Sequence, residues 1–478
     1  MGRDVLLLYM SPKNANYKTQ TNEGAVRYLI KEKETPDCIL ALCSETVRKK
    51  AVVEMPDGST CTTLEYFRDA LRRVGIPAER LVVIEVPDSM DDEKKQFQAI
   101  SQLLEKINEG DTLSIDLSGG MRDTAMLLVT AARCMRDLRG VQTRRVIYAE
   151  LRGEEPVAHD RTQLYDLFDF VTAMDAFFST GTAQKLKSYL WSEGEKDPVL
   201  HTLLTRINQF SEDLALCRVQ KLNDDLNQIA QALKETPKKS QNLTDLFFRL
   251  LKDRFNTEFA ELLSSGEKAL PALVSWCADH GMYQQALTLL CEQMPEYVCQ
   301  HIFVQPTERG WEYLAAQMQN RGKPWVYPLF HFHFCRLTLL QRESPYTADL
   351  RLTLSRDDAE GNMLFGVADD AEMHDYLDMA LASDQLVIDP AIRPQLERAA
   401  LLYQRVMQYR NQINHASAND LGLQSERVLP LDTESIKDTL REIAAYLHEI
   451  RPLKRNVPQG IKALPVTKTI PAGTASNL

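Results

Sequence analysis

Five short apolar runs in the first third of the chain constrain its fold more than any other feature. They are DVLLLYM (4–10), DCILALCS (37–44), RLVVIEVP (80–87), DTLSIDLS (111–118) and RRVIYAEL (144–151). Apolar runs of this kind, bounded by turn-forming residues, are typical of strands that are buried on both faces of a sheet. The first run is too short for a signal peptide and is interpreted as the first strand.

Helical patterns separate these runs. The segment 63–75 ends at Gly75, and the segment 91–110 begins with acidic residues and ends at Gly110. Acidic residues favour the start of a helix, and glycine favours its end. The alternation predicts an α/β Rossmann-like N-terminal domain with a doubly wound parallel sheet. In such sheets, ligands bind at the carboxyl ends of the strands.

Strand patterns largely vanish after the first third, which predicts an all-α C-terminal half. Residues 164–181 and 277–294 have helical spacing, the second as two helices joined at a glycine. The acidic, glycine-containing segment 355–375 is interpreted as a loop or insertion. Residues 456–478 contain three prolines and no periodicity, and we expect them to form a loose tail.

The composition narrows the class of protein. The length of 478 residues suggests two or three domains, and the formal net charge of −11 argues against a basic surface that binds nucleic acid non-specifically. Nine scattered cysteines without a CxxC pair indicate free thiols in a reducing, cytoplasmic setting. No apolar run approaches the roughly 18 residues of a membrane span, so none is expected.

The end of the fourth run carries the most informative motif of the first domain. The residues that follow Leu117 are Ser118, Gly119, Gly120, Met121 and Arg122. Paired glycines permit a sharp turn and a close approach of ligand to backbone. The helix that follows supplies N–H groups and a partial positive charge at its start, and Arg122 adds a full charge. The SGGMR corner (118–122) therefore predicts a phosphate or nucleotide site, or alternatively a tight turn without a ligand.

Two further strand ends supply polar side chains at the same edge of the predicted sheet. The candidates are Ser11, Lys13 and Asn14 after the first run, and Ser44, Glu45 and Thr46 after the second. Their donors and acceptors suit base edges, riboses and phosphates. Alternatively, each loop is only a polar turn. The corner is neither GxGxxG nor a Walker loop, which disfavours dinucleotide-dependent enzymes and P-loop nucleotide hydrolases.

This first domain resembles a CARF domain. The resemblance rests on DLSGGMR (116–122) after the fourth strand, and on 165–186, which is similar to the helix leaving the CARF core. CARF domains belong to ancillary effectors of type III CRISPR systems. The resemblance implies a homodimer whose two-fold pocket binds a cyclic oligoadenylate, with tetra- or hexa-adenylate as the allosteric activator. It covers about the first 180 residues.

A second motif lies on a predicted helix near the end of the chain. From Gln395 to Asn414, an apolar stripe recurs at helical spacing: Ala399, Leu402, Val406, Tyr409 and Ile413. At about 100° per residue, Arg410 lies roughly 60° from the stripe centre, and Asn411 and His415 lie about 160° from it. His415 therefore faces away from its own core, and Arg410, about 140° from it around the helix, would reach the same side with its long side chain. Alternatively this is only a solvated face, which Gln404 and Gln408 share.

The segment RNQINH (410–415) matches the R-x4-6-H motif of HEPN ribonucleases, with Asn411 as the polar residue expected after the arginine. Together with the CARF-like domain, the chain resembles the CARF–HEPN ribonucleases of type III CRISPR antiviral defence. The resemblance implies metal-independent endonucleolytic cleavage of single-stranded RNA to 2′,3′-cyclic phosphate products, with no catalytic cofactor. We expect His415 to act as general acid or base, Arg410 to stabilise the phosphorane, and Asn411 to orient the phosphate or the imidazole.

The expected layout is a sensor domain at 1–180, a helical connector at 181–320, a ribonuclease domain at 321–455 and the tail. Expected partners are RNA, the cyclic oligoadenylate and a second copy of the chain. Neither a membrane partner nor stable DNA binding is expected.

Other functions are weighed beside this one. The chain could be a ligand sensor whose C-terminal helices only dimerise, or a ring nuclease that degrades its own cyclic ligand. An unrelated nucleotide-dependent enzyme is disfavoured by the missing GxGxxG. HFHFC (331–335) suggests a metal site, but core histidines are favoured because no second ligand cluster accompanies it. Along a strand, Cys38 and Cys43 are expected to point to opposite faces.

Overall fold

A computed structural model divides the chain into two compact units, Met1–Phe170 and Val171–Leu478. The sequence-based boundary at 180 lies ten residues later, and the divisions at 320 and 455 stay predictions. Structure is described for residues 2–14, 17–50, 52–54, 58–90, 92–120, 122–152, 155–192, 197–235, 243–264, 269–309, 325–328, 356–357, 363–364, 370–382, 384, 386–415, 429–453, 459–460 and 467–470.

The first unit is built on a six-stranded, mostly parallel sheet. The strands of this unit are β1 (Asp4–Tyr9), β2 (Cys38–Cys43), β3 (Val52–Glu54), β4 (Thr60–Thr62), β5 (Leu81–Glu85), β6 (Thr112–Asp116), β7 (Gln142–Arg152) and β8 (Glu155–Asp160). The order across the sheet is β5-β2-β1-β6-β7-β8, and only β8 is antiparallel to its neighbour. All five predicted strands are confirmed, whereas β8 and the β3–β4 hairpin were not predicted.

Helices cover both faces of this sheet. They are α1 (Glu23–Lys31), α2 (Thr63–Arg73), α3 (Glu93–Lys106), α4 (Arg122–Arg139) and the start of α5 (Thr162–Thr180). Along β1, Leu7 packs in one buried cluster with Leu128 of α4, and Leu8 packs in another with Leu29 of α1 and Phe67 of α2. Burial on both faces explains why the strands are continuous apolar runs.

Glycines end two of the predicted helices as expected. Gly75 follows α2 with φ +82°, and Gly181 follows α5 with φ +70°, a conformation that glycine adopts without strain. The helix predicted at 91–110 is shorter than expected, since α3 ends at Lys106, before Gly110.

The second unit is mainly helical. Its helices are α6 (Gln184–Ser192), α7 (Pro198–Ala215), α8 (Val219–Ala232), α9 (Leu243–Glu258), α10 (Ala260–Ser264), α11 (Leu270–Asp279), α12 (Tyr283–His301), α13 (Asp370–Ala382), α14 (Arg393–His415) and α15 (Thr433–Ile450). The predicted pair of helices around Gly281 is confirmed as α11 and α12.

Short strand pairs show that the C-terminal half is not all-α. They are β9 (Val304–Pro306) with β13 (Leu386–Ile388), β10 (Trp325–Pro328) with β14 (Thr467–Ile470), and β11 (Arg356–Asp357) with β12 (Met363–Leu364). The β14 strand lies within the segment expected to be a loose tail. The loop prediction for 355–375 is wrong at the paired strands β11 and β12, and again from Asp370 onward, where α13 begins. Among the described residues, no helix is both long and apolar enough to cross a membrane.

Candidate functional site

A buried hydrogen-bond network joins the loops that follow β1 and β6. Asn22 is its centre: its amide nitrogen donates to the Asp116 carboxylate at 2.6 Å and to the Tyr9 carbonyl at 3.1 Å. The Asn22 side-chain oxygen accepts from the Ser11 backbone N–H at 3.1 Å and from the Gln20 amide at 2.6 Å. Asn22 and Asp116 are both fully buried. The two loops therefore form one structural unit at the carboxyl ends of neighbouring strands.

The Asp116 carboxylate occupies the protein interior immediately before the SGGMR corner. It accepts hydrogen bonds from the Ser118 backbone N–H at 2.9 Å and from the Ser118 hydroxyl. Burial raises the pKa of Asp116 to about 6, because the loss of hydration outweighs the stabilisation of the anion by Ser118 and Asn22. The Ser118 oxygen also accepts from the Ala149 backbone N–H at 2.6 Å. The Ser118 hydroxyl thus serves the interior network.

The two glycines of the corner have different roles. Gly119 is buried, and a Cβ atom there would lie 1.8 Å from the Tyr9 carbonyl oxygen. Its missing side chain therefore admits the backbone of β1 rather than a ligand, which corrects the sequence interpretation. Gly120 is exposed, has φ +82°, and donates its N–H to the Ser11 hydroxyl oxygen at 3.0 Å. The structure thus brings Ser11 and Gly120 together at an accessible point.

The remaining corner residues are only partly described. Met121 lies outside the described residues. Arg122 is the first residue of α4, and its side chain is likewise outside the described part of the structure.

Lys13 and Asn14 lie on the loop after β1. The Lys13 ammonium donates to the Tyr17 carbonyl at 2.7 Å and lies 5.0 Å from the centre of the Tyr66 ring. The Lys13 backbone N–H donates to the Thr63 hydroxyl at 3.2 Å. Asn14 is exposed. The Lys13 charge is therefore held against its own loop and α2, and a ligand would have to displace the Tyr17 contact to engage it.

Ser44, Glu45 and Thr46 follow β2 and contact the loop after β5. The Thr46 backbone N–H donates to Asp88 at 2.7 Å, and the Lys50 ammonium lies 3.1 Å from Asp88 and 3.6 Å from Glu45. The Thr46 amide and the Lys50 ammonium lower the pKa of Asp88. Ser44 is buried. Two carboxylates flanking one ammonium suit hydroxyl and amine donors better than phosphates.

The second candidate site lies on α14. The predicted apolar stripe is confirmed: Ala399, Leu402, Val406 and Tyr409 are buried and Ile413 is half-buried. Arg410 is half-buried, next in sequence to Tyr409. Asn411 and His415 lie on the same helix, and their side chains are outside the described part of the structure. One helix therefore carries all three predicted catalytic residues beside a buried stripe.

Neighbouring helices fix α14 in the second unit. The Tyr403 hydroxyl donates to the Cys291 carbonyl of α12 at 3.0 Å. Arg405 forms a 2.9 Å ion pair with Glu442 of α15. These contacts lie within three turns of Arg410, so the motif is presented by a helix that is anchored on two sides.

Two glutamines of α14 have roles that the sequence did not reveal. The Gln412 amide donates to the Leu429 carbonyl at 3.3 Å, and the Leu429 N–H donates to Gln408 at 3.4 Å. Gln408, which the sequence suggested might lie on a solvated face, is half-buried and contacts the Leu429 backbone. No sequence signal marks these contacts, because the partner is a backbone segment 17 or more residues away.

The remaining candidates from the sequence are a metal site and a pair of cysteines. Within the described ranges, no group of three or more His, Cys, Asp or Glu is placed to hold a metal ion. HFHFC (331–335) lies outside those ranges. Cys38 and Cys43 are free and buried on opposite faces of the sheet, as expected, and burial raises the pKa of Cys43 to about 12.

No protein-family model and no curated protein sequence matches this chain.

Proposed function

We propose that the protein is an endoribonuclease of the CARF–HEPN kind, activated by a cyclic oligoadenylate and acting on single-stranded RNA in type III CRISPR antiviral defence. The observation that carries the proposal is RNQINH on α14, a helix that buries an apolar stripe directly beside the half-buried Arg410. On this proposal the first unit is a Rossmann-like sensor domain, and the protein acts in the cytoplasm as a homodimer.

The activator would bind at the carboxyl ends of β1, β2 and β6. These strands are adjacent in the order β2-β1-β6, and the direction of strand addition reverses beside β1, where ligands of such sheets bind. The Ser11 hydroxyl, which accepts the Gly120 N–H, would donate its own proton to a phosphate oxygen, and Arg122 would supply charge. Glu45 and Thr46 would meet ribose hydroxyls or the adenine amine. A two-fold ring ligand matches an isologous dimer, because each copy offers the same groups.

The reaction would be an internal phosphoryl transfer. The ribose 2′-oxygen forms a bond to the adjacent phosphorus as a base removes its proton, and the P–O5′ bond breaks as an acid protonates the leaving oxygen. His415 and its counterpart in the second copy would serve as acid and base. The Arg410 guanidinium would stabilise the extra negative charge on the phosphorane, and Asn411 would orient the phosphate or the imidazole. The products are a 2′,3′-cyclic phosphate and a 5′-hydroxyl.

The test is an RNA-cleavage assay with cyclic oligoadenylates of three to six units. We expect one ring size to activate the wild type, and Arg410→Ala or His415→Ala to abolish cleavage while folding and dimer mass are unchanged. Arg206→Ala is the control, because it removes an exposed arginine from α7 of the same unit. Full activity in Arg410→Ala or His415→Ala would overturn the proposed site. Linear adenylates among the products would instead support the ring-nuclease alternative.

A further inference from the structure

Two glutamines one helical turn apart on α14 bind both backbone polar groups of a single residue. The Leu429 N–H donates to the Gln408 side chain at 3.4 Å, and the Leu429 carbonyl accepts from the Gln412 side chain at 3.3 Å. We call Gln408 and Gln412 the glutamine clamp. It fixes the chain shortly before Asp432, whose carboxylate caps the start of α15.

The two clamp residues have opposite chemical roles. A backbone N–H only donates, so Gln408 must present its side-chain oxygen to Leu429. A backbone carbonyl only accepts, so Gln412 must present its amide nitrogen. The same substitution is therefore expected to affect the two positions differently. A glutamate retains the acceptor that Gln408 provides, but it lacks the donor that Gln412 provides.

Packing alone does not account for Gln412. Gln412 is only 5% exposed, and its side-chain oxygen is buried without a hydrogen-bond partner among the described residues. A buried acceptor without a donor costs free energy that an apolar side chain of similar size would avoid. The hydrogen bond from the Gln412 amide nitrogen to the Leu429 carbonyl offsets part of this cost.

The clamp lies nearer to the end of α14 than two ion pairs that join this helix to α15, and it holds the segment just before α15. Arg398 pairs with Glu449 at 2.9 Å, and two turns further along α14 Arg405 pairs with Glu442 at 2.9 Å. The helices thus run antiparallel, and the clamp holds the turn that contains Arg410. The ends of helices fray unless tertiary contacts hold them.

We propose that Gln408 and Gln412 are positioning residues of the ribonuclease site, which hold the last turns of α14 so that Arg410 keeps the orientation that an RNA phosphate requires. This inference rests on the proposed function of α14. Neither glutamine needs to touch RNA. Their effect is transmitted through the backbone of Leu429 and the orientation of the helix end.

The test compares Gln408→Glu with Gln412→Glu in the full-length protein. We expect Gln412→Glu to lower kcat about 100-fold, the effect of a displacement of roughly 1 Å at a catalytic group. Gln408→Glu keeps the acceptor that the Leu429 N–H needs, so we expect it to lower kcat far less. Both variants add one negative charge on the same helix, so Gln408→Glu controls for repulsion of RNA. Gln412→Met removes the donor without adding charge, and we expect it to lower kcat as Gln412→Glu does.

Hydrogen exchange of the Leu429 amide, measured without RNA or activator, gives an independent readout. We expect faster exchange in Gln412→Glu and Gln412→Met than in Gln408→Glu and the wild type. If the wild type cleaves RNA and the three variants share its kcat, the positioning role alone is overturned. If the wild type cleaves no RNA with any activator, the proposed function and the positioning role both fail, even when the exchange pattern is as expected.

Discussion

Asn22 and Asp116 are joined by a 2.6 Å hydrogen bond although 94 residues separate them in the sequence. Both side chains are fully buried. Asn22 bonds the Tyr9 carbonyl at the end of β1, and Asp116 bonds the Ser118 N–H just after β6. The loop that presents Ser11 and the loop that presents Gly120 are therefore set in one arrangement before any ligand arrives. Preorganisation of this kind lowers the free energy that binding must spend on ordering loops.

Replacing Asn22 is expected to remove the hydrogen bonds that join the loop after β1 to the loop after β6. Asn22→Ala removes one donor from the buried Asp116 carboxylate, which keeps its Ser118 partners, and removes the acceptor of the Ser11 N–H. A buried polar group that loses its partner costs about 1–3 kcal/mol. We expect the free energy of unfolding of the first unit to fall by roughly 2 kcal/mol or more, measured by denaturant titration. An Asn22→Ala variant as stable as the wild type would show that the network does not hold the loops.

The raised pKa of Asp116 gives the first unit a defined pH dependence. The folded protein holds the Asp116 proton up to about pH 6, whereas the unfolded chain releases it near the ordinary value of 3.8. Between these values the folded state binds more protons, so this contribution to stability falls as pH rises and is constant above about pH 6. We expect the stability advantage of the wild type over Asp116→Asn to be larger at pH 4 than at pH 7, and an unchanged difference would contradict the assignment.

Gly119 is expected to tolerate no side chain. In Gly119→Ala the new Cβ would lie 1.8 Å from the Tyr9 carbonyl oxygen, so β1 and the corner must move apart. We expect a marked loss of thermal stability and a weaker response to the activator. Gly140→Ala is the control, because Gly140 has φ +66° and a methyl group there would meet no described atom within 4 Å. Its cost is limited to backbone strain of about 1 kcal/mol. Equal effects at the two positions would contradict the packing role of Gly119.

On the proposed function, replacing Arg122 should affect activator binding but not catalysis. Removing a charged donor from an anion site costs about 1.5–3 kcal/mol, so we expect Arg122→Ala to raise the half-maximal activator concentration about tenfold or more. The maximal RNA-cleavage rate at saturating activator should be unchanged. Arg139→Ala, at the opposite end of α4, is the matched control. An unchanged activator titration would remove Arg122 from the pocket.

The parts of the fold that the sequence predicted are those governed by local pattern. The five apolar runs became β1, β2, β5, β6 and β7 because burial on both faces leaves few polar positions in a strand. The strand β8 was missed because it lies at the sheet edge, where half-buried and exposed residues mix and no apolar run forms.

The candidate site was predictable only in part, for a physical reason. The residues that bear a recognisable pattern, such as Gly120 and Arg410, follow a strand end or lie on a helix face. Asn22 and Gln412 gain their roles from partners that are distant in sequence, and a lone polar residue gives no local sign of such a partner. The role of Gly119 was misassigned because its close neighbour is the backbone of β1 rather than a ligand.

The chemistry of the RNA ends tests the central proposal most directly. Wild-type protein would be incubated with single-stranded RNA, the activating cyclic oligoadenylate and excess EDTA, and the new termini identified by mass spectrometry. The proposed function predicts cleavage that needs the activator, persists in EDTA, and yields 2′,3′-cyclic phosphate and 5′-hydroxyl ends. Cleavage that EDTA abolishes, products with 5′-phosphate ends, or intact RNA with every ring of three to six units would contradict it.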